Sequence, residues 1–278
     1  MTVLLALLLQ VGPAPAIEPI SPIPEELQEQ RERTRARRNA YVEVLPETSR
    51  LAQCLTRTRE DPGAAANEAH EWLTAAGGPD RGDAAQCLGV AQARLGQQSQ
   101  AAGTFLQARD ATPPGDHRAR ALRGGLAGGA LLAQGNPAGA LELLDVARVD
   151  AQAAGEEAIL GQIAIDRAIA LVALERLEEA ETALETARAA LPDNVDAWLL
   201  SATLSRRHGK LDEAQARIER AAVLDPLDPG VGLEAGVIAA MAGRDDAARK
   251  NWRSVIEAAP GSDAAATAQA YLEQLDAP

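Results

Sequence analysis

The residues WLLSATLSRRHGKLDEAQARIERAAVLDP, from Trp198 to Pro226, and GLEAGVIAAMAGRDDAARKNWRSVIEAAP, from Gly232 to Pro260, are two copies of one pattern. Pro192, Pro226 and Pro260 follow one another at 34 residues; Ala180, Ala214 and Ala248 keep that interval, and so do Ala168, Ala202 and Gly236. Three columns at one period do not arise from biased composition alone. Each copy reads as helix, short turn, helix, stop. In the first, apolar residues recur at three-to-four spacing (Leu200 and Leu204, then Ala214, Ile218 and Ala221), which lays a buried stripe along each helix. Gly209 and Gly243 divide the copies because glycine enters the left-handed geometry that ends a helix. The acids that follow (Asp212 and Glu213; Asp245 and Asp246) suit the positive end of the next helix. Proline then stops the second helix, having no N–H to donate.

The composition agrees with an all-helical reading. About a fifth of the 278 residues are Ala, the best helix former, and only 2% are aromatic. An apolar content of 46% argues against disorder. The net charge of −13 and the scarcity of rings for stacking argue against nucleic-acid binding. That charge is unevenly placed: residues 17–60 balance eight acids against eight bases, so the acidity belongs to the remainder.

A 34-residue helix–turn–helix with an early Trp, a midway Ala, a large apolar residue after it and a closing Pro resembles the tetratricopeptide repeat. The resemblance implies an all-α, right-handed α-solenoid with a C-terminal capping helix. Repeats are expected at 82–115, 121–154, 161–194, 195–228 and 229–262, after a degenerate unit at 47–80 and before a cap at 263–276, within a solenoid region of 47–278. Midway small residues are Ala101, Ala140, Ala180, Ala214 and Ala248; the large residues after them are Phe105, Leu144, Leu184, Ile218 and Trp252. First-helix small residues are Gly89, Gly128, Ala168, Ala202 and Gly236, and Leu88-Gly89 reproduces the family's Leu-Gly pair. Insertions around Asp116–Arg120 and Gly155–Leu160 are expected in inter-repeat turns. The chain departs from the family pattern in keeping the early Trp only as Trp198, in lacking the family's Tyr, and in carrying Glu175 where a turn Gly is usual. Gly124, Gly125, Gly128 and Gly129 load one helix with a weak helix former, marking either a soft spot with fast amide exchange or a close backbone approach.

The N-terminus points to export. Val3 to Val11 is an apolar run too short to span a bilayer, which takes about 20 residues. Ala14 and Ala16 after it fit a small-residue cleavage site, although no Lys or Arg precedes the run. Residues 1–16 therefore read as a signal-like segment and 17–46 as a Pro-containing linker with a charged lead-in helix. A periplasmic or secreted protein is expected, with a cytoplasmic one as the alternative, and no stable membrane span. Cys54 and Cys87 lie about one repeat apart and suit either a disulfide or two buried thiols.

No catalytic motif is present. His70, His117 and His208 fall on three different repeats, and there is no Walker loop, HExxH, GxSxG or CxxC. GGLAGG after Arg123 lacks the Lys-Ser/Thr of a phosphate loop. Neither enzyme chemistry, a metal nor a cofactor is expected; the one corner offering chemistry is Cys54 with His70, as half a metal site or a small-ligand site of an accessory subunit. What remains is a surface. The resemblance implies that first helices line a groove for a partner's peptide or helix. Here that face would present Val90 and Arg94, then Gly125, Gly129 and Leu132, then Ile165, Ile169 and Val172, then Leu199, Thr203 and Arg206, and finally Leu233, Val237 and Met241. The expected function is a non-catalytic envelope scaffold that holds another protein, with self-association as the alternative. These apolar residues are equally expected from packing between repeats.

Overall fold

The structure, a computed structural model, describes residues 49–277. The signal-like segment, the linker and the lead-in helix expected at 1–46 lie outside the described residues. Thirteen α-helices and no strands are found among the described residues. They run as α1 (Arg50–Glu60) with α2 (Pro62–Ala75), α3 (Gly78–Arg94) with α4 (Gln98–Asp110), and α5 (His117–Ala133) with α6 (Pro137–Ala154). The series continues with α7 (Glu157–Ala173) and α8 (Leu177–Ala190), α9 (Val195–Arg207) and α10 (Leu211–Leu224), α11 (Pro229–Met241) and α12 (Asp245–Ala258), and closes on α13 (Asp263–Asp276). Each helix packs on the next in sequence, so every contact layer is local and the molecule is an α-solenoid.

The helix boundaries follow from local chemistry. Side chains of Ser49, Asp61, Asp116, Asn136, Asn194, Asp228 and Ser262 each accept a backbone N–H three residues on, at 2.9–3.1 Å, satisfying a donor with no partner inside its helix. The turns within repeats hold Gly96, Gly135, Gly209 and Gly243 at φ of 71–79°. Glu175 occupies the equivalent turn at φ 58°, the only non-glycine with positive φ among the described residues. Left-handed geometry costs an ordinary L-residue about 1–2 kcal/mol, so this turn is strained where its counterparts are not.

The two insertions lengthen helices and do not sit in turns as expected. First helices α3, α5 and α7 have 17 residues each, against 13 in α9 and α11. A difference of four residues is about one helical turn, which leaves the buried stripe in phase. Only Ala111–Asp116 and Gly155–Glu156 remain as connections there.

The core repeats one contact. The small first-helix residue and the large second-helix residue sixteen positions later face each other in every clear repeat. A methyl group on Gly89 would lie 2.6 Å from Phe105 Cε1, one on Gly128 would lie 2.5 Å from Leu144 Cγ, and one on Gly236 would overlap the Trp252 indole. Where the small residue is Ala, as at Ala168 and Ala202, the partner is Leu184 or Ile218. A methyl group on Gly124 would likewise meet Ala147 Cβ at 2.9 Å. Of the two readings of the glycine-rich helix, close approach accounts for Gly124 and Gly128. Because these cores are thin, few rings are needed: Phe105 and Trp252 fill two of them, and Tyr271 of α13 covers Trp252 at 5.2 Å between centroids. Trp198 instead stays half-buried and donates its indole N–H to Pro192 O at 2.8 Å.

The interface of α5 with the preceding repeat is polar. Arg123 of α5 is 4% exposed and spans α3 and α4, donating to Gln86 Oε1 at 2.9 Å and also bonding Asp83 and Thr112. Gly82 makes room for it, since a methyl group there would overlap the guanidinium. No helix among the described residues is long and apolar enough to cross a membrane.

Candidate functional site

First helices of successive repeats form one wall. Helices α1 and α3, α5 and α7, α9 and α11, and α11 and α13 are closely packed pairs; α3 and α5, and α7 and α9, are not. At both of these seams the wall opens into a crevice. Between α3 and α5 a cavity of about 370 Å³ is lined by Val90, Ala93, Arg94, Gly125, Leu126 and Gly129, with Phe105 beneath and Asp166 of α7 at its edge. A methyl group on Gly129 would lie 3.9 Å from Asp166 Oδ2 and meet nothing nearer, so a longer side chain there would fill the crevice and glycine keeps it open. Between α7 and α9 a smaller cavity of about 120 Å³ is lined by Ile169, Val172, Leu200 and Thr203, with Ala168 and Leu184 behind them. It is almost wholly aliphatic, and Ile169 is 40% exposed on its lip.

The fourteen groove residues expected from the sequence do not all share this surface. Val90 and Arg94 come together at the first crevice, and Ile169, Val172 and Thr203 at the second. Ile165 is a correction: it is 3% exposed and buried with Ala187 and Ala197, because its turn of α7 faces the start of α9. Leu132 is half-buried among neighbouring cores, and Leu233 and Val237 pack toward the cap. Leu199 approaches the backbone of Gly230 and is half-buried. Arg206 is committed to Glu234 across α9 and α11, Nε donating to Oε1 at 2.6 Å. Beside it Met241 stands 52% exposed, 4.0 Å from the guanidinium. Sequence reasoning misses Leu200 and Leu126 as lining residues: helical spacing assigns Leu200 to the buried stripe, and the parting of first helices brings both to a crevice.

The cysteine corner is resolved differently from the accessory-site expectation. Cys54 of α1 and Cys87 of α3 are joined, with Cα atoms 6.1 Å apart, so Cys54 offers no free thiol to His70. His70 is exposed on α2, while Trp72 and Leu73 pack against the disulfide. Among the described residues no group of three or more His, Cys, Asp or Glu is placed to hold a metal ion.

The Tetratricopeptide repeat family profile matches the chain at residues 165–229 and again at 201–263. No curated protein matches the sequence. Among solved structures, PilW, a widely conserved type IV pilus biogenesis factor, is similar with a TM-score of 0.65 at 19% identity, covering 78% of this chain and 96% of that one. Pseudomonas aeruginosa pilF gives 0.64 at 16% identity over 86% and 99%. YrrB, a tetratricopeptide repeat protein with an unusual peptide-binding site, gives 0.50 at 16% over 80% and 98%. These likenesses show the fold, and the profile match with the paired columns of small and large residues identifies tetratricopeptide repeats over residues 165–263 of this chain.

Proposed function

We propose that the protein is a non-catalytic scaffold of the cell envelope that holds a peptide or helix of another protein along the first-helix wall. Tetratricopeptide repeat proteins bind other proteins; the observation that carries the finer reading is the pair of crevices at the α3–α5 and α7–α9 seams. A partner helix carries apolar side chains at three-to-four spacing, and aliphatic sockets interrupted by closed wall receive such side chains. The peptide-binding site named for YrrB supports a peptide as occupant. Export is supported by the run from Val3 to Val11, by the Cys54–Cys87 bond, which persists in oxidising compartments, and by the pilus factor among the similar folds.

The test places a photo-crosslinking residue next to the α7–α9 crevice of the full chain, in cells, and compares it with the same chain carrying Ile169→Glu and Thr203→Glu. Loss of a defined crosslinked partner with unchanged helicity is expected. Undiminished crosslinking in the double variant would refute the groove, and a concentration-dependent dimer in sedimentation would replace the partner with a second copy.

A further inference from the structure

A second surface lies on α6 and shares no residue with either crevice. Val146 and Val149 are three apart, hence on one helix face, and stand 47% and 56% exposed, among the few large apolar side chains left in solvent. Around them Arg109 of α4, Arg120 of α5, Arg148 of α6 and Arg167 of α7 line an open depression of about 690 Å³ together with Asp145 and Asp150.

The charges do not balance locally. Asp150 is already engaged: it accepts from Arg109 at 2.9 Å and pairs with His117 Nδ1 at 2.9 Å, with Arg120 at 3.6 Å. Burial pushes its carboxyl up, but the hydrogen bonds from His117 and Arg109 and the charges of Arg120 and Arg109 outweigh this and hold it below the ordinary aspartate value. Asp145 is taken by Arg167 at 2.8 Å. Four guanidinium groups thus meet two carboxylates. Among the described residues Arg148 bonds only the neutral amide of Gln152, at 3.1 Å, and its Nε, like that of Arg109, is buried without a hydrogen-bond partner there. A positive depression on a chain of net charge −13 has been assembled against the average field of the molecule.

We propose that this face of α6 docks an acidic linear peptide, its carboxylates on Arg148 and Arg120 and its aliphatic side chains over Val146 and Val149. Charge complementarity fixes the sign of the occupant, and the two valines fix its second property. A simple anion would leave them in water, whereas a segment alternating acidic and aliphatic residues covers both groups, and the arginine stems add apolar contact.

Fluorescence anisotropy of a labelled synthetic peptide alternating Glu and Leu, titrated with the full chain, tests this. Saturable binding is expected that weakens with added salt, falls about tenfold or more in Arg148→Glu, falls by less in Arg148→Gln, and falls several-fold in Val149→Ser. Ile169→Glu is expected to leave it unchanged, which separates this surface from the groove. Both α6 positions are partly exposed, and circular dichroism of each variant is the check that it folds. The proposal is overturned by absence of saturable binding, by wild-type affinity in Arg148→Glu, by equal affinity for a Glu–Gly peptide, or by loss of peptide binding as the chain dimerises in sedimentation.

Discussion

Gly128 and Gly129 are neighbours in the same helix, and their substitution by Ala should move stability in opposite directions. In a helix interior Ala is worth about 1 kcal/mol over Gly, so both changes begin with the same gain. At Gly129 the new methyl enters the open crevice, nearest Asp166 Oδ2 at 3.9 Å, and nothing cancels that gain. At Gly128 the methyl would lie 2.5 Å from Cγ and 2.6 Å from Cδ2 of Leu144, a fully buried side chain met at its branch point and not at a flexible end. Overpacking of this kind costs about 1–3 kcal/mol, and with contact at the branch the upper part of that range applies, leaving Gly128→Ala destabilising by about 1–2 kcal/mol. The two variants should therefore differ by about 2–3 kcal/mol, or about 4–12 °C in thermal midpoint for a chain of this size. Leu144→Ala alone opens a cavity and costs about 2–5 kcal/mol. Adding Gly128→Ala to it should then stabilise, because the methyl occupies vacated space. Thermal unfolding followed by circular dichroism gives all four midpoints. Equal stabilisation by Gly128→Ala and Gly129→Ala, or strict additivity with Leu144→Ala, would show that the close approach does not exist.

Three further outcomes follow from the turns and the polar contacts. Glu175→Gly should raise the unfolding midpoint by relieving about 1 kcal/mol of left-handed strain, whereas Gly209→Glu, its mirror at φ 72°, should lower it by a similar amount. Because the Asp150 carboxyl is held below its unfolded value, its contribution is present above the unfolded pKa and is lost as pH falls through the folded one. Asp150→Asn should thus destabilise at neutral pH, by about 1–3 kcal/mol for the lost charged contacts, and flatten the acid limb of a urea-midpoint profile; an unchanged limb would contradict the assignment. Thiol counting should find no free Cys in the unreduced protein and two after reduction, and reduction should cost about 3–4 kcal/mol of stability for a bridge across 33 residues.

Much of the fold can be read from the period alone, because one column sets a hole and another sets the side chain that fills it. The family resemblance extends that reading to a closing helix, α13, in which Ala265, Ala268 and Leu272 are buried. The inserted residues mislead the eye toward turns. Asp116 and Gly155 are turn signals, and they do end or cap helices, but the residues after them add a whole turn to α5 and α7 and so leave no trace in the apolar pattern. Glu175 is legible as an anomaly, and the backbone shows it to be a strained one. The candidate groove is legible as a face but not as a site. Spacing along one helix places Ile165 and Ile169 together; which of them is free depends on how far α7 stands from α9, and that distance is set by packing between repeats. The arginine-lined face of α6 leaves no sequence signal because its charges come from four helices.

The pairing of hole and filler also gives these repeats a direction of change. A unit holding Ala opposite Leu184 or Ile218 cannot take up Phe or Trp until the Ala has become Gly, whereas a unit with Gly236 opposite Trp252 has room for any smaller side chain, at the cost of a cavity. Enlargement passes through a weakened helix, and reduction passes only through a cavity that later substitutions can close. Units of the two kinds are consequently not interchangeable, and moving a second helix from one repeat to another would join a large residue to a hole cut for a smaller one. The order of the repeats along the chain is itself part of what the sequence encodes.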